Sequence, residues 1–351
     1  MWFLVLAACG PTDLDTDAPA AETAPPLGAP IDAPAGEWTW VDVDGTSCND
    51  GSPTGIAVNP GTSNNVIAFF NGGGACWDYT TCVDVGTAAS GPFGASQWSR
   101  YERAFRGSVL DRDASANPFA DWTFVFIPYC TGDLHGGDHV VTYTRGEASE
   151  DYAHVGHTNV LRDLERVAAT WTTPDKLVVS GLSAGGGGVL LNYATFRWYY
   201  PDTHAYLIDD SLPMFIGDAL QPWMRETWVE TWDLHPTVDP LCADCTEDFS
   251  RFHLALSDAF PNDRMALLSS QQDATIAGYY LMSGPSFQKN LDALDTTILG
   301  PSTSWNRYFV AGDTHTMIGD PENHDTTDGH ALWPWLTAMV TDDPTWADVG
   351  P

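Results

Sequence analysis

Basic residues are scarce in this chain. Its 351 residues include 14 Lys and Arg against 47 Asp and Glu, which gives a formal net charge of −33. A nucleic-acid partner is therefore not expected, because phosphate binding requires a basic surface, and direct adhesion to anionic lipid is disfavoured for the same reason. No run of 18 or more apolar residues occurs, so the sequence predicts no transmembrane helix.

Apolar residues are nevertheless abundant. Hydrophobic residues make up 43% of the chain and aromatic residues 12%, which excludes a chain that is disordered throughout. The length allows one large domain or two ordinary ones with a real hydrophobic core. We predict a single folded domain over residues 37–351.

The N-terminus resembles an export signal. Residues 1–8 form a short apolar run that ends in Leu-Ala-Ala before Cys9, and small residues before a cleavage point are typical of such signals. The order resembles a bacterial lipobox, so we predict a lipoprotein-type signal over residues 1–9 with a lipid on Cys9. No Lys or Arg precedes Arg100, so the usual positive segment is missing, and an upstream start or an ordinary clipped signal are the alternatives.

Residues 10–36 are rich in Ala, Pro, Asp and Thr and have almost no large apolar side chains. Such a segment cannot bury enough surface to offset the entropy that is lost when it is ordered. We predict a disordered acidic tether between a lipid anchor and the folded domain.

The remaining six cysteines favour disulfides. They are Cys48, Cys76, Cys82, Cys130, Cys242 and Cys245. An even number of cysteines in an exported chain is typical of disulfide bonding. The Cys-x-x-Cys pair at 242–245 leaves zinc binding or thioredoxin-like redox chemistry as alternatives, but no second pair has the spacing of a zinc site and no convincing strand precedes this pair.

Six apolar runs are typical of strands that are buried on both faces. They span residues 65–70, 122–129, 176–180, 204–208, 265–269 and 307–310. Helical patterns intervene at 158–171 and 184–199. This alternation predicts an α/β fold with a mostly parallel sheet and helices on both faces. Functional residues of such a sheet lie at the carboxyl ends of the strands, and Gly-rich or polar segments follow these runs.

A candidate nucleophile follows the run at 176–180. Ser183 is the centre of Gly181-Leu182-Ser183-Ala184-Gly185, a G-x-S-x-G motif between a predicted strand and a predicted helix, which is the context of a nucleophile elbow. Small neighbours permit the tight turn, and the helix N-terminus adds positive potential beside a developing oxyanion. The alternative is a Gly-rich turn whose serine only caps the helix. A phosphate-binding loop is disfavoured because no Lys follows the glycines.

A second Gly-rich segment, Asn71-Gly72-Gly73-Gly74, follows the run at 65–70. In hydrolases of this architecture the loop at this position donates a backbone N–H to the oxyanion, and glycines let the backbone approach the substrate. We predict that Gly73, Gly74 and Ala184 form the oxyanion hole. A simple tight turn is the alternative.

His315 and Asp273 complete a candidate set in the chain order serine, acid, histidine. His315 follows the last apolar run and Asp273 follows the run before it, so both side chains are expected at one edge of the sheet. The competing residues are His324, His330, Asp209, Asp210 and Asp313. We predict that His315 acts as the base and that Asp273 orients it.

Five segments together resemble the pectinacetylesterase/Notum family of α/β-hydrolases. They are NGGGACW (71–77), YCTGD (129–133), GLSAGGGGVLLNY (181–193), SSQQD (269–273) and GDTH (312–315), in the family's order. The resemblance covers roughly residues 37–340. It implies an α/β-hydrolase catalytic domain over 37–351 that cleaves an ester without a metal or another cofactor.

The resemblance also assigns residues. It implies a catalytic triad of Ser183, Asp273 and His315, with Gly73, Gly74 and Ala184 as oxyanion donors. It implies the disulfides Cys48–Cys130 and Cys76–Cys82, with Cys242–Cys245 as a third pair. Family members often carry Trp at the position of Gly74 and Cys or Thr at that of Leu182. Glycine at 74 keeps the donor N–H, and we expect it to open the pocket.

Trp77, Asp133 and His135 are predicted to line the substrate site. The last two belong to a cluster of carboxylates and imidazoles that runs from Asp133 to His139 and continues at His154 and His157. Such side chains suit a metal, which is the alternative. The resemblance favours a polar wall of the active site, because the family has a substrate-facing loop at this position.

The charge favours a neutral substrate. Pectin, which plant members deacetylate, is a polyanion and is repelled by a domain near −33, although salt screens this repulsion beyond about 8–10 Å. A neutral ester, from an acetylated glycan to a lipid or a polyester, fits better. Some of the 15 Trp residues could line an acyl pocket or stack on sugar, and packing is the alternative for most of them.

The predicted protein is an exported serine carboxylesterase of the bacterial cell envelope, anchored by lipid and monomeric. Its predicted partner is an acyl-ester substrate, and its only predicted membrane contact is the anchor at Cys9. The alternative is a catalytically idle family member that binds glycans or lipids at the cell surface.

Overall fold

A computed structural model describes residues 24–326 and 328–351 of the chain. The predicted signal with Cys9, and the predicted tether as far as residue 23, lie outside the described residues. Residues 28–31 pack along a helix: Gly28 N–H donates to the Glu165 oxygen at 2.8 Å, and Ile31 N–H donates to Thr170 Oγ1 at 2.8 Å. The folded domain therefore starts before residue 37, because Ile31 buries its side chain in the core.

In the residues that the structure describes, ten strands form one large sheet and one hairpin. The strands are β1 (Thr39–Ser47), β2 (Pro53–Asn59), β3 (Asn65–Phe70), β4 (Thr123–Ile127), β5 (His139–Arg145), β6 (Ala148–His154), β7 (Lys176–Leu182), β8 (His204–Asp210), β9 (Arg264–Ser270) and β10 (Trp305–Val310). The sheet has the order β1-β2-β4-β3-β7-β8-β9-β10, and β5 pairs with β6 in the antiparallel hairpin. β2 is antiparallel to both of its neighbours. Along the rest of the large sheet, in the order β4-β3-β7-β8-β9-β10, all neighbouring strands are parallel.

Nine α-helices connect or flank the strands in the described part of the chain. They are α1 (Ala95–Tyr101), α2 (Gly156–Thr170), α3 (Ala184–Tyr199), α4 (Pro222–Trp232), α5 (His235–Val238), α6 (Arg251–Ala259), α7 (Ala274–Tyr279), α8 (Gly284–Leu294) and α9 (Leu332–Val340). Within the residues described, none of the helices combines the length and the hydropathy of a membrane span.

Apolar side chains point to both faces of the large sheet, and helices cover both faces. In β3, the side chains of Val66, Ala68 and Phe70 belong to the cluster that contains α2, α3 and α4, whereas Ile67 and Phe69 belong to the cluster that contains α1 and α9. Successive side chains of a strand point to opposite faces, so a continuous apolar run is stable only between two helical layers. The predicted mostly parallel α/β-hydrolase sheet is confirmed.

The predicted runs coincide with the strands from β3 to β10 of the large sheet to within two residues, and α3 has the predicted bounds. The sequence missed β1, β2 and the hairpin. The residues of β1 and of the hairpin are largely polar and partly exposed, and the buried strand β2 has an apolar run of only three residues, IAV. These elements lie outside the parallel part of the sheet. The carboxyl ends of β3, β7, β8, β9 and β10 all reach the same edge, where the candidate residues lie.

Three disulfides join the cysteines in the pairing that the family resemblance implies. They are Cys48–Cys130, Cys76–Cys82 and Cys242–Cys245. The first spans 82 residues and ties the end of β1 to the segment after β4, so it constrains the unfolded chain most.

Candidate active site

The candidate nucleophile lies on a strained turn. Ser183 lies between β7 and α3 with φ 56° and ψ −126°, a backbone conformation that is rare for residues other than glycine. Its N–H donates to the main-chain oxygen of Asp210 at 2.8 Å. The Ser183 side chain makes no capping hydrogen bond to α3, so helix capping does not account for a serine at this position.

Close packing of the main chain holds this turn. A Cβ on Gly185 would clash with the Phe70 oxygen at the end of β3, and a Cβ on Gly181 would clash with the Gly185 oxygen. Because these positions lack side chains, α3 starts immediately after Ser183 and lies directly against the end of β3. The motif therefore needs its small residues for a steric reason.

The candidate acid and base form a hydrogen bond. His315 Nδ1 lies 2.7 Å from Asp273 Oδ2. Asp273 is fully buried, and its Oδ1 accepts the N–H groups of Thr275 and Ile276 at 2.9 and 3.0 Å as the N-cap of α7. With Nδ1 protonated toward the carboxylate, His315 Nε2 is the ring nitrogen that can accept a proton. That nitrogen is buried and has no hydrogen-bond partner within residues 24–326 and 328–351.

The loop that carries His315 is connected to the turn at Ser183. Asp210 Oδ2 accepts the N–H groups of Met317 and Ile318 at 2.6 and 2.8 Å, while the main-chain oxygen of Asp210 accepts the N–H of Ser183. One residue at the end of β8 therefore contacts both segments.

The Gly-rich loop after β3 lies against the same turn. A Cβ on Gly72 would be 2.9 Å from Ser183 Cβ, so a side chain at position 72 would push the loop away. The N–H groups of Gly73 and Gly74 donate no hydrogen bond within the described ranges, and the N–H of Ala184, at the first position of α3, has no partner inside the helix. Free donors on two segments that meet at Ser183 suit a developing oxyanion.

His135 anchors the start of this loop. Its Nε2 lies 2.9 Å from the main-chain oxygen of Asn71 and must carry a proton in order to donate. The ring packs against Phe70 and Tyr129, with centroids 4.9 and 4.7 Å away, and burial lowers the pKa of His135 to about 4. The side chain is 2% exposed. His135 therefore lies behind the loop and not at the solvent-facing wall where the sequence predicts it.

Asp133 is also placed inside the protein. It is fully buried, its Oδ1 accepts the Thr131 hydroxyl at 2.6 Å, and its Oδ2 accepts the N–H groups of Gly156 and Gly137 at 2.8 and 3.2 Å. Burial raises the pKa of Asp133, and these hydrogen bonds oppose the increase. The carboxyl group holds its own loop against the start of α2, so the prediction that it lines the substrate site needs the same correction.

Of the three predicted lining residues, Trp77 borders an open space. It lines a groove of about 520 Å³ between residues 77–80 and β5, together with Tyr143 and Arg145. Its ring also packs against that of Trp228, at a centroid distance of 5.6 Å.

The metal-like clusters are built around disulfides. The donor atoms of Cys76, Cys82 and His154 lie within 4.8 Å of one another, but both sulfurs belong to a disulfide and are not thiolate ligands. The His154 ring nitrogens face the Tyr143 hydroxyl and a main-chain oxygen, each at 2.8 Å. The sulfurs of Cys242–Cys245 are likewise joined to each other, so this oxidised pair supplies no thiolate ligand for zinc.

Two further residues contact the candidate machinery. Asp210, which the sequence suggests only as a rival acid, carries the contacts described above. Tyr279 donates to the main-chain oxygen of Thr87, and its hydroxyl occupies the space that a Cβ on Gly74 would need. The space directly beside Gly74 is therefore filled, and the wider effect of glycine at 74 on the pocket stays a prediction. The position of Asp210 after an apolar run could have indicated its role from the sequence, whereas no local motif indicates a role for Tyr279.

His135 makes stability depend on pH. Its folded-state pKa of about 4 lies below the ordinary histidine value of 6.5, so between these pH values only the unfolded state binds the proton. Its contribution to stability is complete above pH 6.5 and is lost as the pH falls toward 4. The variant His135→Gln can donate to Asn71 without titrating. We expect the free energy of unfolding of wild type relative to this variant to fall by about 2 kcal/mol between pH 7 and pH 5.

Denaturant titrations of both proteins at the two pH values measure this difference. A constant difference between the proteins would show that His135 is not held neutral in the folded state.

Comparison with known proteins identifies the family. The sequence profile of the family described as pectinacetylesterase matches residues 38–260. The chain is 33% identical over 153 residues to the palmitoleoyl-protein carboxylesterase NOTUM of Schmidtea mediterranea. This alignment covers 41% of this chain and 27% of that protein. It is 30% identical over 151 residues to human NOTUM, covering 42% and 29%. It is 29% identical over 209 residues to pectin acetylesterase 11 of Arabidopsis thaliana, covering 58% and 52%.

These alignments span between about a quarter and a half of the length of the relatives. The family match covers more than half of this chain and includes Ser183 with the Gly-rich loop, whereas Asp273 and His315 lie beyond it. The chain therefore belongs to the pectinacetylesterase family, as its motifs indicated.

Proposed function

We propose that this chain is a serine carboxylesterase that hydrolyses an O-acyl ester through an acyl-enzyme. The observation that carries the proposal is the 2.7 Å hydrogen bond between His315 and Asp273. It leaves Nε2 of the ring able to accept a proton and without a hydrogen-bond partner among the described residues, at the sheet edge where Ser183 lies on a strained turn. The relatives support the same class of reaction, since one is named a carboxylesterase and another an acetylesterase.

The first half of the reaction forms the acyl-enzyme. His315 Nε2 takes the proton of the Ser183 hydroxyl while Oγ bonds to the ester carbonyl carbon, and the carbonyl electron pair moves onto oxygen. Asp273 keeps Nδ1 protonated and stabilises the imidazolium that forms. The intermediate then collapses: the bond to the alkoxy group breaks, and this group takes the proton from His315 and leaves as an alcohol.

The second half of the reaction releases the acid. His315 takes a proton from water, which attacks the acyl carbon, and then returns a proton to Ser183 Oγ as the acyl bond breaks. In both halves negative charge develops on the carbonyl oxygen. The N–H groups of Gly73, Gly74 and Ala184 are the proposed donors to it, and each donor of this kind is worth about 3–4 kcal/mol of transition-state stabilisation.

A neutral ester with a short acyl group is the proposed substrate class. A formal charge of −33 repels a polyanion such as pectin at low ionic strength. The Tyr279 hydroxyl fills the space beside Gly74, which restricts the room next to a proposed oxyanion donor. An acetyl group on a neutral glycan or on another alcohol fits both observations.

Export from the cytoplasm is part of this proposal. Disulfides persist in oxidising compartments, and three are present. The lipid anchor at Cys9, the bacterial cell envelope and the monomeric state stay predictions from the sequence.

Replacing the nucleophile tests the reaction. We expect Ser183→Ala to lower kcat for p-nitrophenyl acetate by about 10⁴-fold or more, because acyl transfer then has no nucleophile. The matched control is Ser180→Ala in β7, whose hydroxyl is buried and has no hydrogen-bond partner in the described part of the chain. This control should keep wild-type kcat. Equal rates for wild type and Ser183→Ala would refute the proposed function and would favour a binding role.

Replacing Gly74 tests the oxyanion loop. A Cβ at this position would clash with the Tyr279 hydroxyl and the Thr87 oxygen, so Gly74→Ala must displace the loop. We expect kcat for p-nitrophenyl acetate to fall by about 10²-fold, as for loss of one oxyanion donor.

Gly86→Ala is the matched control for this variant. Gly86 has a similar φ of 68°, against 78° for Gly74, but a Cβ there meets no atom within 4 Å. It therefore carries the same backbone strain without the clash. The same loss of kcat in both variants would show that strain, and not displacement of the loop, lowers the rate.

Replacing Tyr279 tests the acyl preference. We expect wild type to favour acetate in a series of p-nitrophenyl esters from acetate to palmitate. Tyr279→Ala should raise kcat/KM for octanoate relative to acetate by about 10-fold, because the side chain no longer fills the space beside Gly74. Leu281→Ala, an exposed apolar position near the same helix end, is the control. An unchanged preference in Tyr279→Ala would remove Tyr279 from the acyl site.

A further inference from the structure

The mechanism gives no role to the carboxyl group of Asp210, although its contacts reach the candidate site. Asp210 ends β8 and is fully buried. It is not the hydrogen-bond partner of His315, since Asp273 holds that place. Asp210 instead contacts two segments, the turn that carries Ser183 and the loop that carries His315.

The first contact of Asp210 is with the nucleophile turn. β7 and β8 run parallel with Leu182 opposite Asp210, and the N–H of Ser183, the residue directly after β7, donates to the main-chain oxygen of Asp210 at 2.8 Å. Ser183 has a φ of 56°, and such a conformation persists only where the surrounding structure holds it. The Asp210 main chain therefore fixes the strained turn.

The second contact of Asp210 is with the histidine loop. Thr316, which follows His315, has a φ of 66°, so the chain turns through a second strained residue directly after the proposed base. The next two N–H groups, of Met317 and Ile318, both donate to Asp210 Oδ2 at 2.6 and 2.8 Å. The other carboxyl oxygen, Oδ1, accepts the Ser211 hydroxyl at 2.7 Å. One side chain thus holds the exit of the turn that presents His315.

We propose that Asp210 is a positioning residue that sets the distance between Ser183 and His315. Its main chain holds the serine turn and its side chain holds the histidine loop, so a shift of this carboxyl group moves the base relative to the nucleophile. A misplacement of about 1 Å between reacting groups lowers a rate by about 10²-fold. The inference rests on the proposed esterase function and adds a residue to it.

Three substitutions separate geometry from charge. Asp210→Asn keeps the length of the side chain and an oxygen that can accept both N–H groups, so we expect kcat within about threefold of wild type. Asp210→Glu keeps the charge but displaces the carboxyl group by one methylene, and Asp210→Ala removes it. For these two variants we expect kcat to fall by about 10²-fold with little change in KM.

Two measurements distinguish positioning from stability alone. Rates of Ser183 labelling by an organophosphate, p-nitrophenyl diethyl phosphate, should fall in parallel with kcat. The control is Asp263→Asn, which removes a buried carboxylate that pairs with Arg197 at 3.0 Å at the opposite end of β9. It should lower the unfolding temperature and leave kcat per folded molecule unchanged.

Each outcome decides the inference. Wild-type kcat in folded Asp210→Glu would overturn it, and if Asp210→Ala does not fold, the comparison of Asn with Glu still decides. A loss in Asp210→Asn as large as that in Asp210→Glu would overturn it as well, because charge and not position would then matter. Wild type that fails to hydrolyse any ester of the series would remove the proposed function and this inference together, whereas the variant results act on this inference alone.

Discussion

The hydrogen bond from His315 Nδ1 to Asp273 Oδ2 is the interaction on which the candidate site depends. It selects the ring nitrogen that can act as a base, and it exists only because β9 and β10 are adjacent and parallel, with Ser270 paired to Val310 at their ends. The residues after both strands therefore leave the sheet at the same level. A slip in this pairing would separate the acid from the base, since strand residues are about 3.3 Å apart.

Buried carboxyl groups recur as anchors of the loops at this edge. Asp133 accepts N–H groups of its own loop and of Gly156 at the start of α2, Asp210 accepts those that follow His315, and Asp273 accepts those that start α7. A hydrogen bond to a charged group is worth about 1.5–3 kcal/mol, and an unsatisfied buried group is costly. Each carboxyl group and its loop therefore stabilise each other, which lets irregular segments keep strained residues such as Ser183 and Thr316.

Polarity alone did not tell which residues face a substrate. Asp133 ends the YCTGD motif and His135 lies two residues later, and the sequence predicts both at a wall of the active site, yet both bind the main chain inside the protein. In the sequence, a polar side chain that hydrogen-bonds to loop N–H or carbonyl groups cannot be distinguished from one that faces a substrate. The contact of Tyr279 with Gly74 was equally hidden, because the two residues are distant in sequence and meet only through the fold.

The sequence by itself determined the elements and the candidate set: the apolar runs of the parallel sheet, the helix after Ser183, and Asp273 and His315 at strand ends. These depend on local pattern, since a run buried on both faces and a glycine-flanked turn are encoded within a few residues. Only the tertiary structure decided that β8 carries Asp210 between the serine turn and the histidine loop, and which polar groups are buried. Those outcomes depend on strand order and register, which bring together residues more than a hundred positions apart.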